Sequence, residues 1–101
     1  MDIKEIIKRI GIIRTRANLS ARALSLAIGK NASYIHLLES SKTSFEPSLS
    51  VLLEIINTCG STPEEFFSAD ISQYKQDKQT LEFLRTLSPY QKEAIMNLYK
   101  K

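Results

Sequence analysis

Apolar residues recur at helical spacing from the third residue of the chain onward. The first stripe consists of isoleucines three or four residues apart: Ile3, Ile6, Ile7, Ile10 and Ile13. Asp2, with Glu5 three residues later, is typical of a capping box at a helix start. We predict a first helix that packs this stripe on the core and ends near Ala17–Asn18. Its basic residues should project elsewhere: Lys4, Lys8, Arg9 and Arg16.

Two short helices joined by a tight turn are predicted between Ser20 and Ser40. Ser20 should cap the second helix, which carries Leu24 and Ile28 inward. Gly29 supplies the one position tolerant of positive φ that a helix needs to stop and restart within a few residues. Asn31 can cap the third helix, predicted from about Asn31 to Ser40, with Ile35 and Leu38 inward. This arrangement is a helix-turn-helix.

Two further helices follow a loop at residues 40–47, which is rich in hydroxyl residues and ends in proline. Ser48 should cap a fourth helix that ends at Gly60. Its apolar positions predict one wide buried face: Leu49, Leu52, Leu53, Ile56 and Cys59. Thr62, followed by Pro63, Glu64 and Glu65, is a strong start signal for a short fifth helix. Phe66 and Phe67 should close this helix onto the core.

The helical spacing of apolar residues resumes after a polar stretch at residues 71–79, which is either a linker or the start of a helix. Leu81, Leu84 and Leu87, with Phe83, predict a sixth helix. Ser88 and Gln91, with Pro89 between them, form a capping box for a seventh. Its apolar and aromatic residues are Tyr90, Ala94, Ile95, Leu98 and Tyr99. No strand-like alternation occurs, so the predicted fold class is all-α.

Length and charge favour one domain with an appendage and a polyanionic partner. At 101 residues the chain can hold one DNA-reading domain but not an additional full sensing domain. Residues 1–44 contain eight Lys and Arg against three Asp and Glu, whereas residues 45–101 contain six against eight. The basic half contains the helix-turn-helix. A solvated basic face is the alternative explanation of this charge.

Other classes of protein find little support in the sequence. The single cysteine, Cys59, excludes an internal disulfide, and no membrane span or signal peptide is recognisable, so we expect a cytoplasmic protein. With one histidine and no ligand-spaced cluster, neither a metal nor a cofactor is predicted. No nucleophile–base pair, carboxylate dyad or phosphate-binding glycine loop indicates an enzyme. No small-molecule ligand is evident.

The span from about Ile10 to Phe67 resembles the lambda-repressor, Cro and xenobiotic-response-element (XRE) family of helix-turn-helix proteins. The resemblance rests on these residues in order: Arg14, Leu19, Ser20, Leu24, Ile28, Gly29, Ile35, Leu38, Glu39, Pro47, Ser48, Leu49 and the run Thr62–Phe67. It implies a five-helix DNA-binding domain at residues 1–70, followed by a helical extension at 71–101. The sequence departs from the family pattern at Ser25, where a small alanine is usual, and at Ser41, where glycine is common.

The resemblance also implies which residues meet DNA, because the family reads bases with the start of its third helix in the major groove. The base-reading positions carried over are Ala21, Asn31, Ala32, Ser33, Tyr34, His36 and Leu37. The phosphate-binding positions are Arg16, Ser20, Arg22, Lys30, Ser40 and Lys42. Tyr34 packed on its own helix, and His36 exposed without a role, are the plain alternatives for those two residues.

Three residues are implied to be structural. Arg14 aligns with a family arginine that pairs with the glutamate at Glu39, tying the first helix to the end of the third, and Gly29 forms the turn. We therefore expect Arg14 to support the fold and not to contact DNA.

The resulting hypothesis is a sequence-specific regulator of transcription, expected to be a repressor, that binds double-stranded DNA. Homodimerisation through residues 71–101 would place it on an inverted-repeat operator. The alternative for this segment is that both helices fold back on their own domain. The alternative for function is a helix-turn-helix used only for protein interaction, as in an antirepressor or partner subunit.

Overall fold

The computed structural model describes residues 1–40 and 45–99, and within these ranges every regular element is an α-helix. The helices in this part of the chain are α1 (Ile3–Arg16), α2 (Ala21–Ala27), α3 (Tyr34–Glu39), α4 (Leu49–Thr58), α5 (Pro63–Phe66), α6 (Tyr74–Arg85) and α7 (Pro89–Tyr99). The predicted all-α class is confirmed for the described residues. The chain divides into two compact units, Met1–Ser68 and Ala69–Lys101.

The first unit has a continuous apolar core drawn from all five of its helices and from two residues that follow α2 and α4. The buried residues are Ile10, Ile13, Leu24, Ile28, Ile35, Leu38, Leu52, Ile55, Ile56, Cys59 and Phe66. Helix α1 begins as predicted, since Asp2 Oδ1 accepts the Glu5 N–H at 2.9 Å. Asn18 follows α1 at φ 62°, a left-handed conformation that asparagine tolerates.

Arg9 does not project away from the core, contrary to the prediction. Only 6% of its surface is exposed. Its Nη1 donates to the carbonyl oxygens of Phe66, at 2.7 Å, and Ser68, while its Nε contacts Glu5 Oε1 at 3.2 Å. The buried guanidinium therefore satisfies the carbonyl of Phe66, the last residue of α5, where the helix itself leaves carbonyls without donors, and the carbonyl of Ser68 just beyond the helix.

Helix α3 is shorter than predicted, since it begins at Tyr34 and not at Asn31. Asn31, Ala32 and Ser33 form a turn before it, with the Tyr34 N–H donating to the Asn31 carbonyl oxygen at 3.0 Å. The Asn31 side chain accepts from Ser33 and so stabilises this turn. A side chain that bonds two residues ahead competes with helix formation, which explains the later start.

The buried face of α4 differs from the predicted one. Leu49 is 69% exposed and Leu53 42% exposed, whereas Ile55, which the prediction left out, is fully buried. At 100° per residue, Ile55 lies about 40° beyond Cys59, on one edge of the stripe formed by Leu52, Cys59 and Ile56, whereas Leu53 lies about 60° beyond Ile56 on the other side. The predicted cap is present, because Ser48 Oγ accepts the Val51 N–H at 3.3 Å.

Helix α5 starts as predicted, but only one of its two phenylalanines enters the core. Thr62 Oγ1 accepts the Glu65 N–H at 3.2 Å. Phe66 is fully buried, whereas Phe67 is 46% exposed. The two rings meet edge to face, with centroids 5.0 Å apart, so Phe67 covers Phe66 from outside instead of filling the core.

The second unit contains α6 and α7. Helix α6 begins at Tyr74 within the polar stretch and ends at Arg85. Leu87, which was predicted to lie on this helix, therefore lies beyond its end. The predicted capping box of α7 is present: Ser88 Oγ accepts from the Gln91 N–H at 3.2 Å, and Gln91 Oε1 accepts from the Ser88 N–H at 3.0 Å. No helix in the described ranges is both long enough and apolar enough to cross a bilayer.

Candidate nucleic-acid interface

Helices α2 and α3 are joined by a turn centred on Gly29. Ser20 Oγ caps α2 by accepting the Ala23 N–H at 3.0 Å. At the other end, Gly29 has φ 73°, and the Lys30 N–H reaches back to the Ser25 carbonyl oxygen at 2.9 Å. A residue with a Cβ would be strained at this φ, so glycine allows the sharp change of direction between the helices.

Ser25 holds the two helices together from inside. Its side chain is fully buried, donates to the Ala21 carbonyl oxygen at 2.7 Å, and accepts the Ile35 N–H at 2.9 Å. The first bond is the back-bond expected of a serine within a helix, and the second spans from α2 to α3. The Ile35 N–H lies in the first turn of α3, where no helical acceptor exists, so Ser25 supplies the missing partner.

The turn before α3 carries the first two polar side chains predicted to read bases. Asn31 and Ser33 are both exposed. Asn31 Oδ1 accepts the Ser33 N–H at 2.9 Å and the Ser33 hydroxyl at 2.7 Å. The two side chains therefore form one preorganised pair on the surface.

Tyr34 contacts both a cation and a second aromatic ring. Lys30 Nζ is 5.6 Å from the centroid of the Tyr34 ring, and the Phe45 ring is 5.6 Å away on a tilted contact. Both distances are in the range of favourable cation–π and aromatic pairs. Burial raises the pKa of the Tyr34 hydroxyl, so this group stays protonated at neutral pH and can donate a hydrogen bond. The half-buried ring contacts Lys30 and Phe45, which precede and follow α3, whereas the plain alternative for Tyr34 is a ring packed on its own helix.

The rest of α3 separates into an inner and an outer face. Ile35 and Leu38 are buried as predicted, whereas His36 and Leu37 are exposed. The outer face thus offers one imidazole and one aliphatic side chain beside the Asn31–Ser33 pair. Imidazole nitrogens can bond to base edges, and an aliphatic group can pack against a thymine methyl.

The predicted pair between Arg14 and Glu39 is present. Arg14 Nε lies 3.0 Å from Glu39 Oε1, and Arg14 Nη1 donates to the Leu19 carbonyl oxygen at 3.0 Å. Gly11 lies at the same crossing, since a Cβ there would be 3.2 Å from Glu39 Oε1. The arginine therefore joins α1, the segment before α2, and the end of α3.

Arg16 has a partner that the sequence analysis did not predict. Its Nη2 forms an ion pair with Glu65 Oε1, which also accepts the Ser61 hydroxyl at 2.6 Å. Glu65 is 3% exposed, whereas the Arg16 side chain is 36% exposed. The Glu65 carboxylate at the start of α5 is thus buried, and Arg16 compensates its charge. Arg16 thus supports the fold through this ion pair, and its phosphate contact stays a prediction.

The other predicted contacts lie around α2 and α3. Ser20, Arg22 and Lys30 are exposed, while Ala21, Ala32 and Ser40 are half-buried. Ser20 already uses its hydroxyl oxygen as a cap, which leaves its proton available to a phosphate. Lys42 lies outside the described residues, as does Ser41.

Two features of this surface were not found by sequence reasoning. Phe45 contacts Tyr34, but it stands in a loop with no apolar period that would have marked it. Ser25 bonds to the Ile35 N–H, a contact that depends on how α2 and α3 cross and not on spacing along the chain. Burial raises the pKa of the Cys59 thiol. The described residues contain no group of three His, Cys, Asp or Glu side chains that could hold a metal.

Comparisons of the chain with protein-family models, with curated proteins and with solved structures found no match.

Proposed function

We propose that this chain is a sequence-specific regulator of transcription, most simply a repressor, that reads double-stranded DNA with α3. The observation that carries the proposal is the α2–α3 unit: the Gly29 turn and the Ser25 bridge fix two short helices at a defined crossing. The unit buries Ile35 and Leu38 and leaves His36 outside. Such a unit projects the start of its second helix into the major groove in helix-turn-helix proteins. A lambda-repressor-like arrangement of α1–α5 is part of this proposal.

The charge distribution supports a nucleic-acid partner. The basic excess lies in residues 1–44, and the exposed Arg22 and Lys30 flank the turn and α3. Cations beside a recognition helix bind phosphates and set its position on the duplex. The proposed function also implies a cytoplasmic location.

Exposed leucines on the same helices favour a second candidate function, a protein-interaction module. Leu26 on α2 is 54% exposed and Leu37 on α3 is 43% exposed. Apolar side chains on a surface helix pair can bind a partner protein. Salt dependence separates the two functions, because each phosphate contact adds about 0.9 to the slope of log affinity against log salt concentration. A slope near zero on duplex DNA would favour the protein-interaction module.

The experiment that tests DNA reading uses the double variant Ser33→Ala, His36→Ala. A preferred sequence is first selected from a random duplex pool with the unaltered protein. We expect the double variant to lose at least tenfold in affinity for that sequence, since it removes two base-edge contacts, and to bind random duplex as before. Ser72→Ala, an exposed serine of the second unit, is the control. Equal losses on both duplexes would contradict the proposal.

A further inference from the structure

Among the described residues, Asn31 bonds through only one of its two side-chain groups. Both hydrogen bonds to Ser33 end on its carbonyl oxygen Oδ1. One of the donors is the Ser33 backbone N–H, which can never accept, so the atom facing it must be the amide oxygen and not the NH₂ nitrogen. The orientation of the amide is thereby determined. Its NH₂ group lies on the side away from Ser33, on an exposed residue.

The hydrogen-bonding capacity of the pair follows from this geometry. An amide oxygen has two lone pairs, and the two Ser33 donors occupy both. Asn31 therefore offers only the two N–H donors of Nδ2 to a ligand. The Ser33 hydroxyl gives its single proton to Asn31 and so can only accept from a ligand.

This donor-only edge does not match the base that asparagine usually reads. Adenine is recognised when the amide oxygen accepts from N6 and the amide NH₂ donates to N7, which requires a free oxygen. Guanine presents two neighbouring acceptors, N7 and O6, in the major groove. An NH₂ group with both hydrogens available matches these two acceptors.

On the basis of the proposed function, we infer that Asn31 selects guanine and not adenine at its position in each half-site. Reading adenine would require the amide oxygen to release at least one of the two Ser33 donors, breaking a side-chain bond that stabilises the turn before α3. Reading guanine leaves the turn intact, so the side chain is preorganised for it. Asn31 is thus a specificity-determining residue whose preference is set by Ser33.

The variant Asn31→Asp tests this inference without removing the turn. An aspartate oxygen still accepts both Ser33 donors, while the second oxygen replaces the NH₂ group and faces the guanine acceptors with another acceptor. Selection from a random duplex pool should show guanine at one position per half-site for the unaltered protein. The variant should lose this preference at that position alone. Its affinity for the guanine sequence should fall between about fivefold and a hundredfold.

Asn57→Asp, which makes the same chemical change on an exposed residue of α4, controls for the added negative charge. Its selected sequence should equal that of the unaltered protein. Adenine at the Asn31 position, or an unchanged guanine preference in Asn31→Asp, would overturn the inference while leaving the proposed function standing. A pool from the unaltered protein without any common sequence would instead overturn the proposed function, and the inference with it.

Discussion

Two arginines of α1 illustrate how the neighbours of a side chain decide its role. Arg14 and Glu39 are 21% and 20% exposed at the side chain, so water reaches both members of the pair. Glu65 is 3% exposed and depends on the half-exposed Arg16 for its counter-charge. Losing Arg16 would remove the cation beside a buried carboxylate that also accepts the Ser61 hydroxyl, whereas losing Arg14 leaves a carboxylate that water can partly solvate.

At the residue scale we predict that Arg14→Ala destabilises the fold in the absence of DNA, because Arg14 supports the structure and does not contact DNA. The change removes the ion pair with Glu39 and the bond to the Leu19 carbonyl oxygen. We expect the free energy of unfolding to fall by about 2 kcal/mol, between the values for surface and buried pairs. Thermal melting without DNA should then show a midpoint about 10 °C lower.

Arg22→Ala is the matched control, because Arg22 is exposed on α2. It should melt within about 2 °C of the unaltered protein, since surface substitutions change stability little. If Arg14→Ala melted like the unaltered protein yet failed to bind duplex DNA, the structural assignment of Arg14 would be wrong.

At the element scale, the crossing of α2 and α3 depends on a polar contact inside an apolar interface. Helix α3 has only six residues, too few to be stable alone in water. Ile35 and Leu38 anchor it by burial, and Ser25 supplies the acceptor for the Ile35 N–H. Apolar contacts tolerate some sliding and rotation, whereas a hydrogen bond between two particular atoms does not. Ser25 therefore sets how α3 is presented.

We predict that Ser25→Ala costs about 1–3 kcal/mol of stability, because it leaves the Ile35 N–H buried without an acceptor. The substitution removes one oxygen and adds no bulk, so a changed packing volume does not complicate the result. Amide hydrogen exchange should detect the loss of this acceptor. In Ser25→Ala the Ile35 N–H should exchange faster, relative to the Leu24 N–H of α2, than it does in the unaltered protein. Ser72→Ala, an exposed serine, should leave the free energy of unfolding unchanged. Equal protection of the Ile35 N–H in Ser25→Ala and the unaltered protein would contradict this account.

At the scale of the whole molecule, the second unit has large apolar side chains exposed on both of its helices. No residue of α6 is buried, and large side chains are exposed along both helices: Leu81, Phe83, Tyr90, Met96 and Leu98. Two amphipathic helices of this length need a partner surface to be stable. We propose that a second copy of the chain covers this surface, which would place two α3 helices about 34 Å apart on an inverted repeat.

Sedimentation of the full chain at micromolar concentration tests the dimer. We expect a dimer for the unaltered protein and a monomer for the double variant Phe83→Lys, Leu98→Lys, because two charges cannot be buried at the interface without partners. Leu49→Lys adds one charge at an exposed leucine of the first unit and should remain dimeric. A chain of residues 1–70 should be monomeric. A dimer of that chain, or a monomeric full chain, would place the interface elsewhere or remove it.

Much of the helical architecture could be predicted because its signals lie within a few residues of one another. The caps at Asp2, Ser20, Ser48, Thr62 and Ser88 are all bonds between a side chain and a backbone group three residues on. Gly29 and Gly60 have positive φ for an equally local reason. Such interactions depend on the order of residues and hardly on the rest of the fold.

The start of α3 shows where local reasoning becomes ambiguous. The same asparagine oxygen can cap a helix or hold a turn, and both outcomes satisfy a nearby N–H. The structure has the turn, and this choice leaves the Asn31 amide with its NH₂ group available. The residues of the candidate interface could thus be chosen from the sequence, but not which of their atoms a ligand would meet.

Sequence alone determined that the chain is helical, where most helices begin and end, and which residues of α2 and α3 point inward, because these properties follow from spacing and capping. Only the tertiary structure decided that Leu49, Leu53 and Phe67 are exposed, and that Arg9 and Glu65 are buried. Burial depends on which neighbour covers a given side of a helix. Arg9 donates to the Phe66 carbonyl oxygen 57 residues away along the chain, and Glu65 pairs with Arg16 49 residues away, separations that no local pattern records.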